Sequence, residues 1–540
     1  MDRLRGRSLP AALRGVLDAG DGCLAGERVL WLTMGIVLVG SLLRFHGIDA
    51  HGLWSDELFS AATAWLEPSA NAPFFEVKST PEVRLGDSFW TQMGADVHPP
   101  LFESILVPWM WLFGPSELSV RFPGFIASVA LMLAVFAGLR RLSGTTAACC
   151  GLLSVSLNPA LIVYARDARQ YNLLVLFAAL AAMTATAYFQ RLLSAERVRL
   201  SWREVGPLVL LSITHYYGIA LAAVLSAIYG SFALLRKDWR GAGKLALLLG
   251  VVLSWGCVNR GGLRWATSGI NRWRDYAAID FFREIVPAAF LAGVPAYVGL
   301  AYGVAIVWVA ARTIRGGSVR DASAAPLPSI RGERTRCVAL LCVVGVYAAV
   351  FSLICVYAVR SGTFNPRYTL HTLVALHIGG AIALGSLPGR AVLKVGAVAA
   401  LSVTSLVGHP NLTRPFYQEY REAAGFVAAR IRSGDAVVGS WAPNLKYYYY
   451  YLKQLLPDQS YDLRGYSTQR EIDEFCAELG AADDSAYRQV FVLTGGGGAA
   501  PLMRRFESTC ASQYLLVEQN QFRGIRVDRF EVVVGDHEKP

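Results

Sequence analysis

Leu101-Phe-Glu-Ser-Ile-Leu-Val-Pro-Trp-Met-Trp-Leu-Phe113 decides how the rest of the chain is threaded. The stretch is apolar, follows Pro99-Pro100, and is short for a helix that must cross a bilayer. Apolar runs of roughly 10–14 residues are more often re-entrant or interfacial than spanning, whereas a span needs about 20. Longer apolar stretches surround it: 29–45, 121–139, 145–163, 171–189, 205–217, 218–235, 244–258, 285–311, 337–359, 368–387 and 391–408. If 101–113 does not span, five sets of basic residues share one side with the N-terminus. They are Arg140 with Arg141; Arg191, Arg197, Arg199 and Arg203; Arg236, Lys237, Arg240 and Lys244; Arg312 to Arg336; and Arg390 with Lys394. That is the positive-inside pattern, and it inverts in every loop if 101–113 spans. The stretch is therefore read as lying along the membrane, and the chain as a multi-pass α-helical membrane protein of about eleven spans.

The composition agrees. Of 540 residues 54% are hydrophobic and 17% charged, too few charges for a chain of this size whose whole surface faces water. The net charge of +11 does not indicate nucleic acid, because the basic residues sit in short loops where they set orientation. A leader with Arg3, Arg5, Arg7, Arg14 and Arg28 precedes Val29–Phe45, and no small-residue cleavage site follows, so an uncleaved first span is expected. The predicted organisation is a cytoplasmic basic N-terminus over 1–28, a transmembrane module over 29–408 with an outer loop at 46–120, and an outer α/β domain over 409–540. In that last part Tyr420–Ile431 reads as an amphipathic helix. Ala436–Trp441 and Gln489–Thr494 read as short buried strands, with a helical Tyr447–Tyr451 between them. Nine cysteines form no C-x-x-C, and only Cys476 and Cys510 share the polar region, where an oxidising compartment would pair them. Gly495–Gly498 lacks the Lys-Ser/Thr of a P-loop and reads as a plain loop.

This threading puts several ionisable segments outside. Trp54-Ser55-Asp56-Glu57 carries two adjacent carboxylates, a general-base candidate if partial burial lifts one pKa; helix capping by Ser55 or Asp56 is the plainer alternative. Asp96-Val97-His98-Pro99-Pro100 holds an acid and an imidazole against a proline-fixed backbone, suited to phosphate, metal or proton transfer, or simply to capping. Tyr164-Ala-Arg166-Asp167-Ala-Arg169-Gln170-Tyr171 offers two guanidinium forks for a phosphate head, or an internal Arg–Asp pair. His215, and Asn365-Pro366-Arg367-Tyr368, add a histidine and an arginine at two further outer ends, and Arg260, Arg264, Arg272 and Arg274 lie in another outer loop. Positive charge on that side runs against the general bias and needs a local reason, an anionic ligand or a salt-bridged cap.

Taken together, Asp56-Glu57, the Asp96–Leu101 string, Arg121-Phe122-Pro123, Arg166–Tyr171 and Pro366-Arg367-Tyr368 resemble the GT-C glycosyltransferases of family 39, the protein O-mannosyltransferase and aminoarabinose-transferase type. The resemblance covers about residues 29 to 408. It implies a sugar transferred from a polyprenyl phosphate, by inverting displacement, to a glycolipid, glycan or protein acceptor outside the cytoplasm. Asp56 maps onto the family's essential acid, with Glu57 beside it; Arg166, Arg169, Arg367 and His98 map near the donor phosphate. Asp96, Asp167, His215 and Tyr368 join them as donor- or acceptor-binding candidates. The sequence departs from the mannosyltransferases at Phe102-Glu103, where they carry Gly-Lys, and lacks their large lumenal insert. By the same resemblance the chain is expected in a bacterial inner membrane, with its site and C-terminal domain periplasmic. A divalent metal held among Asp56, His98, Glu103 and His215 stays open, since their spacing does not demand one. A transporter or flippase for a lipid-linked or anionic substrate is the rival, but transporters place ionisable groups in mid-span and here they gather at outer ends.

Overall fold

The computed structural model describes residues 27–65, 98–194, 198–259, 279–288, 296–315, 328–362, 365–408, 418–440, 442–456, 461–466, 487–495 and 514–532, with a few short pieces between. The basic leader before Glu27, Asp96, Arg260, Arg264, Arg272, Arg274 and most of the glycine run lie outside the described residues.

The membrane module runs α1 (Glu27–Phe45), α2 (Ser55–Trp65), α3 (Leu101–Phe113), α4 (Glu117–Ser143), α5 (Thr145–Ser156), α6 (Pro159–Ala165) and α7 (Tyr171–Leu193). It continues with α8 (Trp202–Ser212), α9 (Tyr216–Leu235), α10 (Trp239–Val258), α11 (Ala296–Arg315), α12 (Pro328–Ser361), α13 (Leu370–Ser386) and α14 (Ala391–Val407). Among the described residues seven helices are long and apolar enough to cross a membrane, and α5 with α6 makes an eighth. Leu38, Leu42, Leu253, Leu300, Val307 and Val407 point outward from the helices of this module, which only a lipid surround makes inexpensive. The chain is a multi-pass α-helical membrane protein with a small C-terminal sheet.

One segment read as a span is shorter than the sequence implied. The 205–217 segment ends at Ser212, and α8, with 11 residues, covers roughly 16 Å, about half a hydrocarbon core. Ala391–Val407 keeps the bounds expected of 391–408, and around 285–311 the described parts are a π-turn at Phe281–Ile285, which runs on helically to residue 288, and α11. The α3 stretch is a 13-residue helix packed on α2 and α4, with Trp111, Leu112 and Phe113 exposed, which suits an element lying at the membrane boundary.

The 145–163 segment is broken, with a 59° bend. Asn158 starts α6 by accepting from Leu161 N–H, and Pro159 supplies no donor of its own. The carbonyls left free at the end of α5 need partners inside a membrane. Arg44, fully buried at the end of α1, donates to Ser156 O (2.7 Å) and Val155 O (2.8 Å), and to Ser128 Oγ (2.7 Å). At the centre α7 packs on α4, α8, α12 and α13, and its inner face includes Ala178, Ala181, Ala182 and Ala185, small side chains that let helices approach.

In the C-terminal part, α15 (Tyr420–Ala428) and α16 (Ala442–Leu455) accompany a sheet of β3 (Ala436–Ser440), β4 (Asp462–Tyr466), β5 (Gln489–Gly495), β6 (Tyr514–Phe522) and β7 (Ile525–Val532). Phe74–Phe75 and Val83–Arg84 form the small ribbon β1–β2. The sheet order is β4-β3-β5-β7-β6, parallel among the first three strands and antiparallel thereafter. Strand alternation sends Val437, Phe491 and Val527 to one face, and Ala436, Val438, Val490 and Val492 to the other. The second face holds the Cys476–Cys510 disulfide, with a Cα–Cα distance of 5.5 Å. The first shares one apolar cluster with Leu53, Leu58, Phe102 and Leu106 of the membrane module. Polar contacts reinforce that junction. Tyr451 Oη accepts from Leu53 N–H (2.6 Å), Tyr450 Oη donates to Pro115 O (2.6 Å), and Arg421 pairs with Glu117 (3.4 Å). A Cβ on Gly52 would stand 2.8 Å from that of Arg421, so the backbone approach requires glycine.

Candidate active site

The two adjacent carboxylates at the start of α2 face different surroundings. Glu57 points inward and meets four donors. Arg121 Nε (2.7 Å) and Ala168 N (2.8 Å) donate to Oε1; Arg121 Nη2 (2.6 Å) and Trp54 N (3.2 Å) donate to Oε2. Arg121 also reaches the carbonyls of Ile48 and His51 (both 2.8 Å) and Gly52 (3.0 Å). The pair is buried and fully engaged, so Glu57 fastens the loop before α2 to α4 and to the 166–170 turn. It has no lone pair free for proton transfer, which corrects the reading of Glu57 as a second reacting acid.

Asp56 points the other way. Its side chain is 30% exposed, and Oδ2 accepts from Arg367 Nη2 at 2.7 Å. Asn365 shapes the 3-10 turn Pro366–Thr369 by accepting from Arg367 N, and this aims Arg367 back at α2 across 311 residues of sequence. The guanidinium carbon lies 5.3, 5.1 and 5.7 Å from the ring centres of Trp54, Tyr171 and Tyr368. Arg169 supports Asp56 from behind, donating to its backbone carbonyl (3.0 Å) and to Ser60 Oγ (2.6 Å); Ser60 in turn donates to Glu103 Oε1 (2.8 Å).

The remaining predicted residues divide. Asp167 is buried and accepts from the Trp54 indole at 3.0 Å. Burial, together with the nearby Glu57 charge, pushes its carboxyl up to about 7, although the indole bond, Arg367 and Arg169 pull the other way. Arg166 turns away from the site and donates to Leu43 O at the end of α1, which corrects its placement at a donor phosphate. His98 and His215 come together with ring centres 5.0 Å apart. His215 is the N-cap of α9, its Nδ1 accepting from Tyr217 N (3.2 Å). Burial, with Arg169, His215 and Arg367 close by, holds the His98 imidazole well below its usual range, so it is neutral. Tyr368 packs on Tyr217 with ring centres 5.0 Å apart.

Among the described residues no three His, Cys, Asp or Glu side chains gather as a metal set. Of the four considered, Asp56 is engaged by Arg367 and Glu103 by Ser60.

Sequence reasoning did not foresee the Arg121–Glu57 clamp, the role of Ser60, or the reach of Tyr451 to the loop before Asp56. Arg121 did carry a signal, being a cation at the outer end of a span, where the orientation rule disfavours one.

Residues 97–257 match the dolichyl-phosphate-mannose-protein mannosyltransferase family, a stretch that begins inside the Asp96–Leu101 string. The match agrees with the resemblance read from that string, to GT-C glycosyltransferases. No curated protein matches the chain. Among solved structures, ArnT from Cupriavidus metallidurans in the apo state is 14% identical over 93% of this chain and 98% of its own, with a TM-score of 0.45. The same protein bound to undecaprenyl phosphate is 14% identical over 94% and 98%, with a TM-score of 0.44. An Archaeoglobus fulgidus oligosaccharyltransferase in complex with zinc and sulfate is 12% identical over 91% of this chain and 72% of its own, with a TM-score of 0.44.

Proposed function

We propose that the chain is a membrane glycosyltransferase that moves a sugar from a polyprenyl phosphate to an acceptor hydroxyl or amine on the extracytoplasmic side. The observation that carries the reading is the Asp56–Arg367 pair, a solvent-reachable carboxylate held by a guanidinium that aromatic rings keep in place. The family match over 97–257 supports a lipid-phosphate donor.

Phosphate is already a good leaving group, so the reaction needs a base for the acceptor and cations for the departing charge. The donor phosphate competes with Asp56 for Arg367, and Arg169 adds a second positive charge nearby. Once released, Asp56 takes the acceptor proton while the acceptor attacks the anomeric carbon. The bond from that carbon to the phosphate oxygen breaks, its electron pair leaves with polyprenyl phosphate, and the configuration inverts. Glu57 and Arg121 hold the loop in register for this step.

Basic loops on one side of the spans and the Cys476–Cys510 disulfide support a cytoplasmic-membrane protein whose site and C-terminal domain face the periplasm. The test is transfer of label from a panel of radiolabelled polyprenyl-phosphate sugars to membrane extract, wild type against Asp56→Asn. Label should move with the wild type only. No transfer from any donor by folded protein would sink the reading and favour the transporter.

A further inference from the structure

At the end of the spans remote from Asp56 lies an exposed basic surface that sugar transfer leaves unused. α9 starts beside the site at His215 and runs about 30 Å before it ends at Leu235. There the linker before α8 is fastened to the turn between α9 and α10. Asp238 accepts from Leu200 N–H (2.8 Å) on one carboxylate oxygen and from Gly241 N–H (3.1 Å) on the other, and Lys244 donates to Leu200 O (2.7 Å). The fit is close: a Cβ on Gly241 would stand 2.9 Å from that of Leu200. This clamp brings Arg199 and Arg203 of the linker side together with Lys237 and Arg240 of the turn, and all four are exposed.

The acids of this region face inward. Glu204 is buried, pairs with Arg191 (2.7 Å) and accepts from Ser201 N–H (2.9 Å), while both oxygens of Asp238 are taken by the clamp. Trp202 and Trp239, 52% and 68% exposed, stand in sequence next to Arg203 and Arg240, and the Lys244 ammonium lies 5.9 Å from the Trp202 ring centre. Exposed tryptophan beside arginine at a helix end marks the level of lipid headgroups. The backbone adds an independent sign. Lys237 has φ +56°, alone among the described non-glycine residues in the left-handed region. It closes α9 in a Schellman turn, with Asp238 N–H reaching Ala233 O (2.8 Å) and Lys237 N–H reaching Leu234 O (3.1 Å). Glycine takes that place without strain, so a lysine there gives up stability and supplies a positive charge.

We propose that this surface binds the headgroup of an anionic phospholipid, its phosphate among Arg199, Arg203, Lys237 and Arg240. The ligand is a lipid and not a soluble anion, because exposed Leu234 and Leu235 carry the surface on into the apolar belt. The inference does not depend on the transferase reading.

The test uses the full-length protein in a neutral detergent, titrated with phosphatidylglycerol, phosphatidylcholine or inorganic phosphate while its melting temperature is followed. Phosphatidylglycerol should raise wild-type melting at about tenfold lower concentration than phosphatidylcholine, and about 0.5 M salt should remove most of that difference. Phosphate alone should leave melting unchanged. Lys237→Gly should weaken the phosphatidylglycerol response about fivefold, and Arg203→Gln with Arg240→Gln about thirtyfold, at roughly fivefold per cation lost near an anionic surface. In lipid-free detergent Lys237→Gly should nevertheless melt about 2 °C above the wild type, since the left-handed strain is gone. Arg140→Gln with Arg141→Gln, in another basic loop, should respond to phosphatidylglycerol as the wild type does. Equal effects of the two lipids, a response reproduced by phosphate, or an equal loss in the Arg140–Arg141 variant would overturn the assignment. So would a Lys237→Gly protein that keeps the full lipid response, or one that melts no higher than the wild type without lipid.

Discussion

Replacing Glu57 with Gln separates a structural carboxylate from a reacting one. All four contacts to Glu57 come from donors, two on each oxygen. Glutamine presents one oxygen and one NH2, so whichever way it turns, two buried N–H donors face another donor. Hydrogen bonds to a charged group are each worth about 1.5–3 kcal/mol, which puts the loss near 3–6 kcal/mol. A second route gives a similar figure: breaking a buried ion pair from one side costs about 3–5 kcal/mol, because Arg121 keeps its charge. Both routes count the same interaction and are not added. A loss of about 3–5 kcal/mol is a large part of the roughly 5–15 kcal/mol that holds a domain folded. Thermal unfolding of the detergent-solubilised protein should therefore fall by roughly 5–10 °C, using about 2 °C per kcal/mol for large domains. Arg121→Met should fall further, since it also abandons the carbonyls of Ile48, His51 and Gly52. A Glu57→Gln protein that melts like the wild type but has lost turnover would refute the argument and return Glu57 to the chemistry.

Asp167→Asn should show a pH-dependent gain. With its folded pKa raised from 3.8 to about 7, Asp167 binds a proton more tightly in the folded state, so its contribution to stability falls as pH rises through that window. Asparagine still accepts from the Trp54 indole and does not titrate, so the variant should gain on the wild type between about pH 4 and about pH 7 and level off above; a constant difference in melting temperature would refute this. Tyr451→Phe keeps the ring but leaves Leu53 N–H buried without its acceptor, about 1–3 kcal/mol, and should lower the melting temperature and kcat together. Replacing Cys476 and Cys510 with Ser opens a loop whose ends are 34 residues apart, worth about 4 kcal/mol by loop-closure entropy, read as melting of the C-terminal domain with and without reductant.

The hydrophobic runs made most of the spans legible, because a bilayer imposes a length and a polarity that few other settings do. The break in 145–163 was also written in the sequence, as Asn158-Pro159, but the cation that permits it, Arg44, belongs to another helix. In the C-terminal domain the buried strands β3 and β5 declared themselves as apolar runs. The β6–β7 hairpin did not, because β6 is largely exposed; its only local mark was Gly524, at φ +70° in the turn. The site was legible as residue types and not as partners. Arg166 and Arg169 stand three positions apart in one loop, yet one turns to α1 and the other to Asp56, a choice made by packing. Nothing local in the sequence couples Asp56 to Arg367; only the return of the chain after α12 does so.

The contact between Tyr451 and Leu53 also has a meaning in time. The loop ahead of Asp56 is synthesised early, and its acceptor follows 398 residues later. At about 5–20 residues per second a ribosome needs roughly 20–80 s to close that gap. Through that interval the helices insert while the segment before Asp56 has no anchor on its far side. A residue made late in synthesis thus supplies a contact to the loop ahead of Asp56 that a molecule still under construction lacks.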